Sequence, residues 1–253
     1  MPYMLIKGER YPVGLVVFDK DGLMFKSQQF WKELGESRLR LLYERLPGRV
    51  CKRWANVFGV REQNGAVEYV DPKGAFAVAS PAEEMAVTAG LIIDALGWTW
   101  TDARALAVDV YAKADEEFDL SKALMPQDGL LQIFEKLNDS GIPYAVATSD
   151  TRDRVNRSMR LFGIEPPTED YIIAPENVKR GKPFPDMLLL AAQRSSVPIN
   201  SIVMIGDSYV DVQMAHEAGA IGIGIPETPE MRDKMVPFAA KIIHSLNEID
   251  FIK

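Results

Sequence analysis

Leu15-Val16-Val17-Phe18-Asp19-Lys20-Asp21-Gly22 decides the fold of this chain. Four apolar residues run straight into an acid pair and a glycine. Such a run reads as a strand buried on both faces that ends in a loop. The pattern recurs downstream. Residues 143–147 form an apolar run that ends at Thr148, Ser149 and Asp150. Residues 201–205 form another that ends at Gly206, Asp207 and Ser208. Residues 171–174 and 222–225 read as two more strands. Between them, apolar residues recur at helical spacing over 129–140, 186–196 and 209–218. Strands alternating with helices predict an α/β fold with a parallel sheet. Ligands of such sheets gather beyond the carboxyl ends of the strands.

Residues 24–123 break this rhythm. Helical patterns cover about 28–46, 82–96 and 102–118, with no buried-strand run among them. Residues 66–70 alternate, 71–74 carry a turn signal and 75–78 follow, which predicts a small hairpin within 65–79. The expected organisation is a core of 1–23 and 124–253, split by a mostly helical insertion over 24–123. A loop of that length without its own fold would be out of scale.

The whole composition bounds the function. Of 253 residues, 47% are hydrophobic and 26% charged, ordinary for a globular chain. Lys plus Arg number 29 and Asp plus Glu 36, so the formal net charge is 29 − 36 = −7. An acidic chain carries no global footprint for nucleic acid or an anionic membrane. A small anionic substrate would need local positive charge. The single cysteine, Cys51, excludes an intrachain disulfide and suits a reducing compartment. Its neighbours Arg49, Lys52 and Arg53 favour a thiolate, but an incidental cysteine is the preferred reading. The first residues lack the apolar stretch of a signal peptide, and no segment approaches the ~20 apolar residues of a membrane span. The expected location is cytoplasmic.

Asp19 and Asp21 sit at i and i+2 of an extended tail, so their carboxylates share one face. Two acids that close push their pKa values apart. One can attack as an anion while the other holds a proton to donate. Gly22 lets the backbone turn beside them. Alone, this tetrapeptide also suits a turn, a calcium-loop fragment or a helix cap. Asp207 and Asp211 can reach one hard cation such as magnesium, or serve a helix start. Thr148 and Ser149 offer donors to an anion, or an N-cap. Lys182, in Gly181-Lys182-Pro183, supplies fixed positive charge between a nucleophile and a phosphate, or is solvated. Each signal is modest alone. Their order, each at a strand end or loop on one sheet edge, makes them a constellation.

Val17–Gly22, Ala147–Ser149, Gly181–Asp186 and Ile205–Asp211 together resemble the motifs of the haloacid dehalogenase superfamily. The resemblance covers the whole α/β part and continues in Gly129-Leu130 and Ala218-Gly219. It implies a Rossmann-like, doubly wound parallel sheet with an inserted, mostly α-helical cap domain. It also implies a magnesium-dependent phosphatase acting on small phosphorylated metabolites, without nucleic acid or membrane partners. Asp19 would form an aspartyl-phosphate, and Asp21 would protonate the leaving oxygen and then activate water. The metal would be held by Asp19, Asp207, the backbone carbonyl of Asp21, and Asp211 directly or through water. Thr148, Ser149, Lys182 and Gly22 would contact phosphate. Asp21 argues against a dehalogenase, which has no leaving alcohol to protonate. Leu23-Met24 and Lys26 depart from the family pattern, which implies altered loop packing.

Three alternatives remain: a phosphomutase similar to β-phosphoglucomutase, a phosphonatase with Lys32 as its imine-forming lysine, and an inactive binding module. The last predicts a missing key group, and Asp19, Asp21, Thr148, Lys182 and Asp207 are all present. His216 and His244 read as structural, and Trp98 and Trp100 as packing within the cap. Arg38, Arg40, Arg45, Arg49, Lys52 and Arg53 read as a solvated helix face, or as contacts to a remote substrate anion.

Overall fold

A computed structural model describes residues 2–63 and 65–252. In chain order, β1 (Tyr3–Ile6), β2 (Glu9–Pro12) and β3 (Leu15–Phe18) lead into α1 (Ser27–Arg45) and α2 (Gly48–Phe58). Next come β4 (Val60–Gln63), β5 (Ala66–Val70), α3 (Ala75–Val78), α4 (Pro81–Leu96), α5 (Trp100–Glu117) and α6 (Leu120–Ala123). Then follow α7 (Leu130–Ser140), β6 (Tyr144–Ala147), α8 (Arg152–Leu161), β7 (Ile172–Ile173), α9 (Asp186–Ser195) and β8 (Ile202–Gly206). The chain ends with α10 (Tyr209–Ala218), β9 (Ile221–Gly224), α11 (Pro229–Met235), β10 (Lys241–Ile242) and β11 (Ile249–Ile252). Two compact units result. One holds the chain up to Lys26 and from Met125 onward, and the other holds Ser27–Leu124.

The first unit is built on a six-stranded sheet in the order β10-β9-β8-β3-β6-β7. Every neighbouring pair in it is parallel. All four residues of β3 are buried, as a central parallel strand requires. Alternation sends Leu15 and Val17 to one face, where they pack with Met187, Leu188, Met204 and Met214 under α9 and α10. Phe18 goes to the other face and meets Phe134 of α7 at 5.1 Å. Both faces are therefore covered, which makes the sheet doubly wound. A separate antiparallel sheet, β11-β1-β2, joins the two ends of the described chain. Where the chain leaves and re-enters this unit its two linkers pair: Lys26 N–H donates to Met125 O at 2.8 Å, and Gln127 N–H to Met24 O at 2.9 Å.

The second unit is mostly helical. Its centre is aromatic, with Trp54, Phe58 and Phe76 in mutual contact. The Trp54 indole N–H donates to Thr88 Oγ1 at 2.9 Å, and Thr88 bonds Tyr111 in turn. Residues 75–78 correct the expected hairpin. They form a helical turn that buries Phe76, so β5 pairs instead with the preceding β4. Gly59 ends α2 in the left-handed conformation, and β4 follows it directly.

Arg38 is a second correction to the reading of a solvated basic face. It is fully buried, ion-paired with Glu84 and stacked over Tyr111 at 4.2 Å. A buried guanidinium needs such a counter-charge. Arg40, Arg45 and Arg53 keep to the surface, paired with Glu117, Asp109 and Asp94. Trp98 and Trp100 are exposed around the start of α5, contrary to the packing expected of them. Cys51 is buried, and burial pushes its thiol up to about 11, away from the thiolate that its basic neighbours would favour. No helix among the described residues is long and apolar enough to cross a membrane.

Candidate active site

Register fixes the site. Phe18 lies opposite Ile205 on one side and Val146 on the other. Asp19, Asp207 and Thr148 therefore emerge from three neighbouring strands at the same sheet edge. The Asp19 N–H donates to Ile205 O at 3.0 Å, which ties the end of β3 to β8.

Asp19, Asp207 and Asp211 each bring a carboxylate oxygen within 4.8 Å of the others. Asp211 arrives from the first turn of α10, where the Ser208 N–H donates to its Oδ2 at 3.2 Å. Gly206 permits this approach, because a Cβ there would lie 2.3 Å from the Asp211 Cβ. Lys182 enters from the loop before α9. Its Nζ lies 2.5 Å from Asp19 Oδ1 and 2.6 Å from Asp211 Oδ1. Burial alone would depress this ammonium, but Asp19 and Asp211 outweigh it and hold its pKa above the usual lysine range.

The acids move the other way. Burial, then repulsion from Asp19 and Asp211, holds Asp207 well above the usual carboxylate range. Burial likewise raises Asp19, partly opposed by Lys182. Asp207 Oδ1 is buried with no hydrogen-bond partner among the described residues.

The carboxylate of Asp21 stands apart from this group. It accepts from Lys20 Nζ at 2.5 Å, and burial pushes it up to about 6 against the pull of that lysine. Gly22 turns the chain at φ 92°, a left-handed value that favours glycine, and a Cβ there would sit 2.1 Å from Asp207 Oδ2. Its carbonyl accepts from Gln127 Nε2 at 2.7 Å. Thr148 is buried; its Oγ1 accepts from the Asp150 N–H at 3.0 Å, which leaves the hydroxyl proton free to donate. Ser149 follows it, half-buried.

The profile of the haloacid dehalogenase-like hydrolases matches residues 13–219. The chain belongs to the haloacid dehalogenase-like hydrolases. Hexitol phosphatase A of Escherichia coli (strain K12) is 30% identical over 128 residues, 49% of this chain and 56% of that protein. A phosphonoacetaldehyde hydrolase of Bacillus cytotoxicus is 30% identical over 120 residues, 44% of each chain. This chain spans about half the length of the curated relatives it matches. Among solved structures, a hydrolase of Pseudomonas syringae superposes with a TM-score of 0.60 at 19% identity, covering 93% of this chain and 95% of that one. A haloacid dehalogenase family hydrolase of Deinococcus radiodurans with bound phosphate and sodium gives 0.54 at 22%, covering 94% and 93%. These show a shared fold.

Within this haloacid dehalogenase-like hydrolase, sequence reasoning missed Lys20, Arg154 and Gln127, and gave Asp150 no role. Lys20 is fully buried beside the acid pair and also meets Asp150 Oδ2 at 2.9 Å. A lysine inside a buried motif was the available signal, since lysine is almost never fully buried unless paired. His216 is exposed on α10 against Phe238, and the backbone N–H of the exposed His244 donates to Glu248 Oε1 at 2.6 Å.

Proposed function

We propose that this chain is a magnesium-dependent phosphatase of small phosphate monoesters that works through an aspartyl-phosphate on Asp19. Charge balance carries the reading. Three carboxylates (Asp19, Asp207, Asp211) face one ammonium, Lys182, a formal sum of −3 + 1 = −2. Buried charge of that size calls for a divalent cation. The orphaned Asp207 Oδ1 and an all-oxygen donor set fit magnesium. Asp19, Asp207 and the backbone carbonyl of Asp21 would hold it, with Asp211 directly or through water. Bound there, the ion offsets the repulsion between an anionic nucleophile and an anionic phosphate.

In the first step the Asp19 carboxylate attacks phosphorus in line. A carboxylate O–P bond forms as the bond to the leaving oxygen breaks. Asp21 gives that oxygen its proton; burial raises its pKa to about 6, so a larger share of it is protonated near neutral pH than of an ordinary carboxyl. In the second step ionised Asp21 takes a proton from water. The water oxygen attacks phosphorus, Asp19 leaves, and inorganic phosphate is released. Lys182 and the Thr148 hydroxyl hold the phosphoryl oxygens, since this chemistry needs mainly positioning and charge neutralisation.

The test is phosphate release across a panel of monoesters that includes hexitol phosphates, with magnesium and then with EDTA. Magnesium-dependent release that vanishes in Asp19→Asn is expected. A folded, metal-binding chain that releases phosphate from no monoester would sink the reading. Isomeric sugar phosphate in place of free phosphate would mark a mutase. The relatives named phosphonoacetaldehyde hydrolase favour a second reading, in which Lys32 of α1 forms an imine. Borohydride trapping with phosphonoacetaldehyde decides it, and no covalent adduct is expected.

A further inference from the structure

We propose that Lys20 is a positioning residue that aims the Asp21 carboxylate, with Asp150 and Arg154 as its anchor; this rests on reading Asp21 as the acid–base group. Lys20 has no exposed surface, a costly position for an ammonium without counter-charges. It has two. Its Nζ lies 2.5 Å from Asp21 Oδ1 and 2.9 Å from Asp150 Oδ2. Asp150 is itself fixed at Oδ1 by Arg154 Nη1 at 2.9 Å and by the Thr151 N–H at 2.7 Å. Asp150 closely follows β6, and Arg154 lies one turn further on in α8. The clamp on Asp21 is thus anchored through Asp150, in the short loop between β6 and α8, to Arg154 in the first turn of α8. Sites held by rigid elements keep their geometry better than sites held by loops.

The charges support the same assignment. Asp21, Lys20, Asp150 and Arg154 form a row in which acidic and basic side chains alternate. The two buried lysines divide the carboxylates between them. Lys182 takes Asp19 and Asp211, and Lys20 takes Asp21 and Asp150. Lys20 thereby keeps Asp21 from joining the metal-binding acids and leaves it free for proton transfer.

The experiment is Lys20→Met, which keeps the apolar stem and removes the ammonium. The two substrates are the alkyl phosphate that the unaltered protein hydrolyses fastest, and p-nitrophenyl phosphate, whose leaving phenolate needs little protonation. Positioned proton transfer contributes about 10²–10⁴-fold, so kcat/KM for the alkyl ester should fall about 10- to 100-fold. For p-nitrophenyl phosphate it should fall less than about threefold, because only the step that needs no acid is read. Magnesium affinity by calorimetry should not weaken. In an Asp21→Asn background, Lys20→Met should cost no further alkyl-ester activity. Equal losses on both esters, no loss on either, or additive losses in the double variant would overturn the proposal. If Lys20→Met does not fold, Asp150→Asn reads the same leaving-group dependence, with equal losses again overturning it. Asp21→Asn with full activity would remove the acid–base reading and this inference together. An impaired Asp21→Asn beside an indifferent Lys20→Met would remove this inference alone.

Discussion

At the scale of single residues, the site depends on close approaches that admit little side-chain bulk. Gly22 shows this best. Its backbone is left-handed, and its Cα faces the carboxylate of Asp207 so closely that a Cβ would overlap Oδ2. Gly22→Ala must either change the backbone or push Asp207 out of the acid cluster. Magnesium affinity, read by calorimetry, should fall at least about tenfold, a loss of about 1.4 kcal/mol. Unchanged affinity would show that Asp207 has slack that the packing does not suggest. Much of the candidate site was legible residue by residue: Asp19, Asp207, Asp211 and Lys182, which the structure brings together, sit next to strands or loops whose local sequence announces them. Lys20 and Asp150 were not. Lys20 stands out only as a lysine inside a buried motif, Asp150 not at all, and only the pairing of β3 with β6 brings them together. A charge pair between distant segments leaves no local pattern.

At the scale of elements, legibility followed periodicity. The runs at 15–18, 143–147 and 201–205 became β3, β6 and β8 because a central parallel strand must be apolar on both faces. β1, β2 and β11 went unread. β2 is half polar, Glu9-Arg10-Tyr11-Pro12, and its sheet is completed only by residues from the far end of the chain. The misread hairpin has a different cause. Asn64-Gly65, the pair most favoured in two-residue hairpin turns, lay just upstream of the turn signal at 71–74. Residues 75–78 then turned helical because that conformation seats Phe76 against Trp54 and Phe58. Tertiary packing overrode weak local preference there. The next helix shows the opposite case. α4 opens on Ser80-Pro81-Ala82-Glu83, where the Ser80 N–H donates to Glu83 Oε2 at 2.8 Å and the Glu83 N–H returns to Ser80 Oγ. Loss of such a cap costs about 1 kcal/mol. Ser80→Ala should therefore lower the melting temperature by about 2–4 °C in a thermal scan. No shift would mean that tertiary contacts alone hold the end of α4.

At the scale of the whole molecule, the buried acids couple stability to pH and, on the proposed reading, to metal. Asp21 titrates at about 6 in the folded chain against 3.8 for a free side chain, and Asp207 and Asp19 are raised in the same direction. The folded state therefore binds more protons than the unfolded one between those values. Its stability from these groups is full below about pH 4 and falls as pH rises through the folded pKa values. Asp150 works in reverse: burial would raise it, but Lys20 and Arg154 hold it below its usual range, so its contribution is lost on acidification. Magnesium requires ionised carboxylates, so its stabilising effect must grow over the pH range in which the metal-free site destabilises the fold. At a magnesium concentration 100 times its Kd, the gain is about 2.7 kcal/mol. For a chain of this size that is a shift of about 5–11 °C. Thermal scans with magnesium and with EDTA, at about pH 5 and about pH 7.5, should show the larger shift at the higher pH. Asp207→Asn isolates the cause. It removes one ligand and one buried charge, so the metal-free variant should melt above the unaltered protein at the higher pH, and magnesium should no longer raise it. A metal shift equal at both pH values, or a variant that melts lower than the parent in EDTA, would mean that the acid cluster is not the seat of the strain.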